Sequence, residues 1–398
     1  MSAIAMDQDR RAKANVLRLA AAVALAGANS AVIFATGGII GSQLAPSPGL
    51  ATVPISIFVV GMAAGALPAG WIARVRGRRL AFISGTGCGC LCGLLAALAV
   101  VMASFPLYCA ATFLGGLYAA VAQSYRFAAA DGASAAFRPK AVSLVMAGGV
   151  FAGFIGPQLV TFTMDVWAGY LFAASYLAQA AVALIAMAVA GTVDMDKPTA
   201  ASTEGARDLV DIVKQPAFVS AAFCSVVAYA LMNLVMTSAP LAMRICGFQP
   251  VDSNFVIQWH IVGMYLPSFF TGWLIARLGV ARIVVAGLAL LAGAAATGLA
   301  GIGLAHFSIG LIVLGVGWNF AFIGASAMVL ETHRPSERNK VQAFNDFLVF
   351  GTMALGSFSS GQLLAVYGWA SVNWVVFPPV AVALAVLWTG ARGRRTTA

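Results

Sequence analysis

Two stretches of this chain repeat one another: GWIARVRGRR at Gly70–Arg79 and GWLIARLGVAR at Gly272–Arg282. Each begins with Gly-Trp and an aliphatic residue, and each has a second glycine seven places after the first, at Gly77 and Gly279. Each stretch also lies between two long apolar runs. The same basic hairpin at two distant places predicts that the chain is built from two equivalent halves.

The composition excludes a water-soluble fold. Hydrophobic residues make up 61% of the 398 residues and charged residues only 9%, whereas a soluble domain has about 25% charged residues. Because a helix of about 20 apolar residues crosses a bilayer, the sequence predicts an all-α membrane protein. The net charge of +10 does not indicate nucleic-acid binding, since the basic residues form short clusters between apolar runs.

The apolar runs predict twelve transmembrane helices in two pseudo-symmetric six-helix bundles. They cover residues 16–40, 51–73, 80–102, 107–127, 141–163, 169–190, 217–240, 253–276, 283–304, 308–330, 341–366 and 372–390. We therefore expect an N-terminus at 1–15, an N-terminal bundle at 16–190, a linker at 191–216, a C-terminal bundle at 217–390 and a C-terminus at 391–398. Within the linker, Ala206–Gln215 predicts a short surface helix.

The distribution of basic residues predicts the topology. With twelve spans, all but one of the 23 lysines and arginines fall at the termini, in the linker or on the loops of one side, and Arg244 is the exception. Basic loops stay in the cytoplasm, so both termini and the linker are expected to be cytoplasmic and the protein to lie in the bacterial inner membrane.

The sequence predicts neither a metal site nor a cofactor. Cys88 and Cys92 would share a helix face while Cys90 points away, so the three cannot converge on one metal ion. A phosphate-binding loop of the Gly-x-x-x-x-Gly-Lys-Ser/Thr type is absent from the sequence. We therefore expect a protein that is not an enzyme and that is not driven by ATP.

Over its full length the sequence resembles the major facilitator superfamily. The family's motif between helices 2 and 3, Gly-x-x-x-Asp-Arg-x-Gly-Arg-Arg, is matched at Gly70, Gly77, Arg78 and Arg79, but Arg74 stands at its acidic position. Helix 5 carries GGVFAGFIGPQ, which is similar to the pattern of the drug/proton antiporter branch. In helix 4, Thr112 stands where proton-coupled relatives have an arginine, which weakens a standard proton-antiport interpretation.

The resemblance implies that helices 1, 4, 7 and 10 line a central cavity. No acidic residue is expected near the midplane of any helix, which argues against cationic drugs as the main substrate. Neutral polar and aromatic residues are available instead, although each could equally pack helices together. The candidate substrate-binding residues are Asn29, Thr36, Tyr118, Asn233, Thr237, Trp259, Trp318 and Asn319.

Four residues are candidates for proton coupling or gating: Arg74, Arg126, His260 and Asp346. His260 could relay protons because the pKa of histidine lies near neutrality, or it could be a neutral, hydrogen-bonded residue. Asp346 lies near the cytoplasmic start of helix 11, and we expect Arg74 to form a charge pair with it across the two halves. In the alternative, Arg74 only fixes the topology and Asp346 caps its own helix.

These features predict an alternating-access secondary transporter for a small organic solute, acting as a monomer among membrane lipids, with protons as a possible second substrate. Amides and aromatic rings favour a neutral, planar solute, and the chain is similar to a proteobacterial group that includes riboflavin-uptake transporters. Two alternatives stay open: proton-coupled efflux of amphiphilic drugs, and a receptor or assembly protein that transports nothing.

Overall fold

The computed structural model of the chain describes residues 3–47, 50, 53–195 and 206–396. Six crossings form the N-terminal half, and the fifth is divided between α5 and α6 at Gly148. The helices are α1 (Ala3–Leu44), α2 (Val53–Arg76), α3 (Arg78–Val101), α4 (Phe105–Asp131), α5 (Arg138–Ala147), α6 (Gly149–Thr163) and α7 (Ala173–Gly191). The ten linker residues 196–205 lie outside the described residues.

The C-terminal half repeats this arrangement after a short helix, α8 (Leu209–Val213), which lies within the segment expected to form a surface helix. Pro267, which interrupts the helical hydrogen bonding, divides the eighth crossing into α10 and α11. The helices are α9 (Pro216–Ile245), α10 (Pro250–Tyr265), α11 (Ser268–Leu278), α12 (Val280–Ala300), α13 (Leu304–Leu330), α14 (Arg338–Trp374) and α15 (Phe377–Thr396).

The crossings number twelve. Within the described residues, eleven helical segments are long and apolar enough to span a bilayer. The first part of α14 supplies the remaining crossing, because Gly368 has a φ of 78° and divides α14 into two helices. The expected all-α membrane fold of two six-helix bundles is therefore confirmed.

The two terminal helices extend well past their apolar runs. The first apolar run starts at residue 16, but α1 begins at Ala3 and includes the polar segment DRRAKAN, whose alanines, lysine and arginines favour a helix. At the other end, α15 extends to Thr396, beyond the apolar run that ends at residue 390.

The repeated motifs form equivalent turns. Gly77 separates α2 from α3 with a φ of 93°, and Gly279 separates α11 from α12 with a φ of 88°. A side chain is strained at such angles, whereas glycine adopts them readily. The second glycine of each motif therefore lets two membrane helices follow one another without a longer loop.

The halves meet along two lines that are related by the duplication. One line is α2 against α14, and the other is α5 and α6 against α11 and α10. We call the end of the bundle that carries the α2–α3, α4–α5, α11–α12 and α13–α14 connections the basic face. The N-terminal segment is tied to this end by Arg11, whose Nε and Nη2 each donate a 2.8 Å hydrogen bond to the carboxylate of Asp194.

Candidate functional site

The first glycine of each motif is the place where the two halves come closest at the basic face. A Cβ added at Gly70 would lie 2.2 Å from the Cβ of Ala343 on α14. A Cβ added at Gly272 would lie 2.7 Å from the Cα of Lys140 on α5. Ser143 reinforces the second contact, since its Oγ accepts a 2.9 Å hydrogen bond from the backbone N–H of Gly272 and donates to the carbonyl of Ser268. The basic face is therefore closed by backbone-to-backbone packing of the duplicated segments.

Ionic contacts join the halves next to this packing. Arg78 at the start of α3 binds Asp131 at the end of α4, with 2.6 Å between Nη2 and Oδ2. From the other half, Arg338 lies 3.7 Å from the same carboxylate, and Gln342 accepts a short hydrogen bond from Arg78. Asp131 thus connects both halves.

His333 extends this network from the α13–α14 connection. Its Nε2 lies 3.1 Å from the amide nitrogen of Gln342, which can only donate, so Nε2 is the acceptor and carries no proton. Its Nδ1 then donates to the carbonyl of Arg334 at 3.1 Å. Burial lowers the pKa of His333 below its usual value, while the charges of Asp131 and Arg78 act in opposite directions. The geometry and the pKa both favour the neutral imidazole.

The end of the linker is held to the same face by a strong ion pair. Glu337 is fully buried and accepts hydrogen bonds from the backbone N–H and the guanidinium of Arg207 at 2.7–2.9 Å. These bonds lower the pKa of Glu337 to about 2. The start of α9 is thereby fixed beside the start of α14.

A buried ion pair joins the halves deeper in the bundle. Arg126 on α4 donates from Nη2 to Asp346 Oδ1 on α14 at 2.5 Å, and both side chains are almost completely buried. Arg126 also donates to Ser326 Oγ on α13 at 3.1 Å, and Asn345 donates to the same Asp346 oxygen at 3.2 Å. Asp346 lies about 12 Å along α14 from its start, at about 1.5 Å per residue. The pair lies within the apolar runs 107–127 and 341–366, near the ends of those runs at the basic face.

This geometry corrects the expected pair between Arg74 and Asp346. Arg74 is exposed at the end of α2, whereas Asp346 is buried against Arg126. The physical reason is depth. Gly70 lies against Ala343, so Arg74, four residues closer to the basic face on α2, is level with the start of α14, whereas Asp346 lies three residues deeper than Ala343 and binds Arg126. Two of the four proposed gating residues, Arg126 and Asp346, are thus brought together by the fold.

An aromatic cluster lies above this ion pair, farther from the basic face. Trp318 stacks on Phe322, one turn along α13, with 5.2 Å between ring centroids. Tyr229 on α9 packs edge-on against both rings, at 5.5 and 5.0 Å, and also against Phe350 on α14. Tyr265 on α10 packs edge-on against Trp318 at 5.6 Å. We call these five residues the aromatic cluster.

The cluster is bounded by polar groups. Below it, the guanidinium carbon of Arg126 lies 4.7 Å from the ring centroid of Phe322, so the ion pair forms its floor. Beside it, Trp318 Nε1 and Asn233 Nδ2 are buried donors with no hydrogen-bond partner among the described residues. Asn233 stands one turn after Tyr229 on α9, and Trp318 lies about 18 Å from the basic-face end of α13. Two unsatisfied donors near the midplane suit a ligand that carries acceptors.

Three candidates lie inside the N-terminal bundle, and two of them are already hydrogen-bonded there. Asn29 donates to the carbonyl of Gly115 at 3.2 Å and accepts from Gln179 at 2.5 Å, so it joins α1, α4 and α7. Thr36 hydrogen-bonds Tyr176 at 2.8 Å. Tyr118 is buried among small residues of α1, α3 and α7, and its hydroxyl has no partner among the described residues. The structure does not bring these three to the aromatic cluster.

The remaining candidates belong to the C-terminal half. Asn319 accepts from Thr271 and donates to Ser268 and to the carbonyl of Met264, which joins α13 to α10 and α11. Thr237 bonds the carbonyl of Asn233 on its own helix. Trp259 is 46% exposed and packs on Phe255, away from the cluster. His260 is buried, with Nδ1 2.7 Å from the carbonyl of Leu311.

Sequence reasoning missed Tyr229, Tyr265, Phe322 and Phe350. Gln123 on α4 donates to the hydroxyl of Tyr229 across the halves at 3.4 Å. A signal was present, because Ser225, Tyr229 and Asn233 recur every four residues on α9, as do Trp318, Phe322 and Ser326 on α13. Such spacing places each set on one helix face.

The sequence model of the Major Facilitator Superfamily matches residues 19–257 and 221–397. The chain belongs to this superfamily. Major facilitator relatives of known sequence include the riboflavin transporter RfnT of Brucella anthropi, which is 43% identical over 380 residues, covering 94% of this chain and 95% of the relative. The uncharacterized transporter YdeG of Bacillus subtilis is 29% identical, covering 85% of this chain and 83% of the relative.

Solved structures support the same major facilitator fold. The proton:xylose symporter XylE superposes with a TM-score of 0.79 at 13% identity, covering 96% of each chain. The human organic anion transporter MFSD10 superposes with a TM-score of 0.77 at 13% identity, covering 95% of this chain and 99% of the other. At these identities the likeness concerns the fold alone. The protein is a multi-pass membrane transporter of the secondary type for a small molecule.

Proposed function

We propose that this protein takes up riboflavin by alternating access. The observation that carries the proposal is the 43% identity to the riboflavin transporter RfnT, which extends over 94% of the chain and 95% of the relative. A match of this extent spans both halves of the chain, and this supports the same kind of substrate for the two proteins.

The aromatic cluster supports this substrate on chemical grounds. Riboflavin has a planar, uncharged ring system whose carbonyl oxygens and ring nitrogens accept hydrogen bonds. The cluster offers the faces and edges of five aromatic rings, and Trp318 and Asn233 offer donors that need acceptors. Because Trp318 and Asn233 are buried in this structure, the halves must move before a ligand can enter between them.

The same proposal includes the orientation. By the positive-inside rule, the basic face lies in the cytoplasm of the bacterial cell and the protein lies in the inner membrane. The structure would then represent a state that is closed towards the cytoplasm, which is the state that receives a solute from outside. We propose a monomer in the lipid bilayer as the functional unit, with a proton as the coupling ion.

Uptake in a riboflavin-auxotrophic bacterium that lacks a riboflavin carrier of its own tests the proposal. Cells that express this protein should grow on riboflavin concentrations too low for the parent strain, and they should accumulate radiolabelled riboflavin. Trp318→Ala should abolish this gain. Trp374→Ala removes a ring of the same kind from an exposed position and should leave it intact.

Other outcomes identify the alternatives. Reduced accumulation of riboflavin or of an amphiphilic dye relative to the parent strain would indicate efflux. Accumulation identical to that of the parent, with the protein present in the membrane, would indicate a protein that does not transport these solutes. Uptake that resists a protonophore would remove the proton from the proposal and leave facilitated diffusion.

A further inference from the structure

The charges beneath the aromatic cluster cancel. Arg126 lies at the inner end of the apolar run 107–127 and Asp346 lies five residues into the run 341–366, and they bind each other at 2.5 Å. Every nitrogen of the Arg126 guanidinium is engaged: Nη2 donates to Asp346, Nε to Ser326 Oγ, and Nη1 to the carbonyl of Gln123. A ligand at the cluster therefore meets a floor that is polar but carries no net charge.

We propose that Asp346 is a specificity-determining residue. Because Asp346 neutralises Arg126, the site selects an uncharged aromatic solute over the anionic forms of that solute. For the substrate proposed above, on which this inference rests, the site would take riboflavin and reject riboflavin 5′-phosphate. The phosphate ester has the same ring and the same ribityl chain, so the two ligands differ in charge at one end only.

The physical argument is the cost of burying a charge without a partner. An anion could bind Arg126 only by displacing Asp346, which would leave a buried carboxylate unpaired. If the anion bound beside the ion pair instead, it would face the carboxylate of Asp346 in a region of low dielectric, where repulsion is weakly screened. A neutral ligand avoids both costs, and its acceptors can satisfy Trp318 Nε1 and Asn233 Nδ2.

Charge substitutions at the pair separate this role from that of a gate. We would measure dissociation constants for riboflavin and for riboflavin 5′-phosphate by quenching of their fluorescence on the purified full-length protein. The readout is the ratio of the two constants. A change in the balance between conformations weakens or strengthens both ligands by one common factor, so it cancels from the ratio.

The wild-type protein should prefer riboflavin by at least about tenfold. Asp346→Asn leaves the charge of Arg126 uncompensated and should reduce this preference about tenfold or more. Arg126→Gln removes the positive charge, so it should not reduce the preference. The double variant Arg126→Gln/Asp346→Asn is neutral again and should return the ratio to its wild-type value. Asp165→Asn makes the same acid-to-amide change at an exposed residue and should leave the ratio unchanged.

Two results would overturn the inference: equal affinity of the wild type for the two ligands, or a ratio in Asp346→Asn equal to the wild-type ratio. If Asp346→Asn does not fold, Asp346→Ser removes the same charge, and a wild-type ratio in that variant has the same consequence. Absence of riboflavin binding to the wild type would instead contradict the proposed substrate, which distinguishes the two failures.

Discussion

The contact between Gly70 and Ala343 offers a direct test of how the basic face closes. In Gly70→Ala, the new Cβ would lie 2.2 Å from the Cβ of Ala343, whereas carbon atoms approach no closer than about 3.5 Å without repulsion. The helices α2 and α14 must therefore separate by more than about 1 Å. Overpacking of this kind costs about 1–3 kcal/mol.

This cost falls only on the closed state, because the two helices separate when the basic face opens. The equilibrium should therefore move towards the state open at the basic face by roughly 5- to 150-fold. Alanine also favours the helix over glycine by about 1 kcal/mol, but α2 is helical in both states and that gain does not affect the equilibrium between them.

Spin labels at Arg76 and Arg282, which are exposed on opposite halves of the basic face, would report the distribution of distances between the halves. Exposed Cys246 is first replaced by serine so that it does not take up label. In Gly70→Ala the long-distance population should grow. Gly293→Ala on α12, where an added Cβ has nothing within 4 Å, controls for the helix-propensity change.

The exchange Gly70→Ala/Ala343→Gly supplies a rescue, since it moves the methyl group from one helix to the other and removes the 2.2 Å contact. The double variant should regain most of the closed population. Distances in Gly70→Ala that match those in Gly293→Ala would refute the reasoning, as would a double variant as open as the single one.

Three further predictions follow from the site. Trp318→Ala should weaken riboflavin binding by roughly tenfold to a hundredfold while the protein stays folded, whereas Asn319→Ala should mainly lower the melting temperature, because it breaks three interhelical bonds. His333 bonds Gln342 in its neutral form, and its pKa is lowered. The contribution of this bond to the closed state should therefore be present above about pH 6.5 and lost as pH falls below that value. Spin-label distances measured against pH should show this loss, and His333→Gln should flatten the response. Glu337→Gln should destabilise the protein by about 1–3 kcal/mol at pH 7, measured by thermal unfolding. The difference in stability between the wild type and this variant should shrink as pH falls from about 4.5 towards about 2, because protonation of Glu337 removes its contribution in the wild type.

The sequence by itself determined the number, order and type of the helices. A membrane crossing depends on the apolar content of about 20 consecutive residues, which is a local property. The duplication was also readable, and it located Gly77 and Gly279 as turns and Gly70 and Gly272 as equivalent positions. In the structure these are indeed paired turns and paired contact points.

The tertiary structure decided which polar groups find one another. Asn29 and Asn233 were both predicted to bind substrate, yet Gln179 bonds the first inside its own bundle, while Nδ2 of the second has no partner among the described residues. Arg74 and Asp346 were predicted to be partners, yet the contact of Gly70 with Ala343 places Arg74 level with the start of α14, and Asp346, deeper in the bundle, binds Arg126. Depth in the membrane can be counted from the sequence, but the face that a side chain presents depends on how helices distant in sequence pack together, because hydrogen bonds and ion pairs act over only a few ångströms.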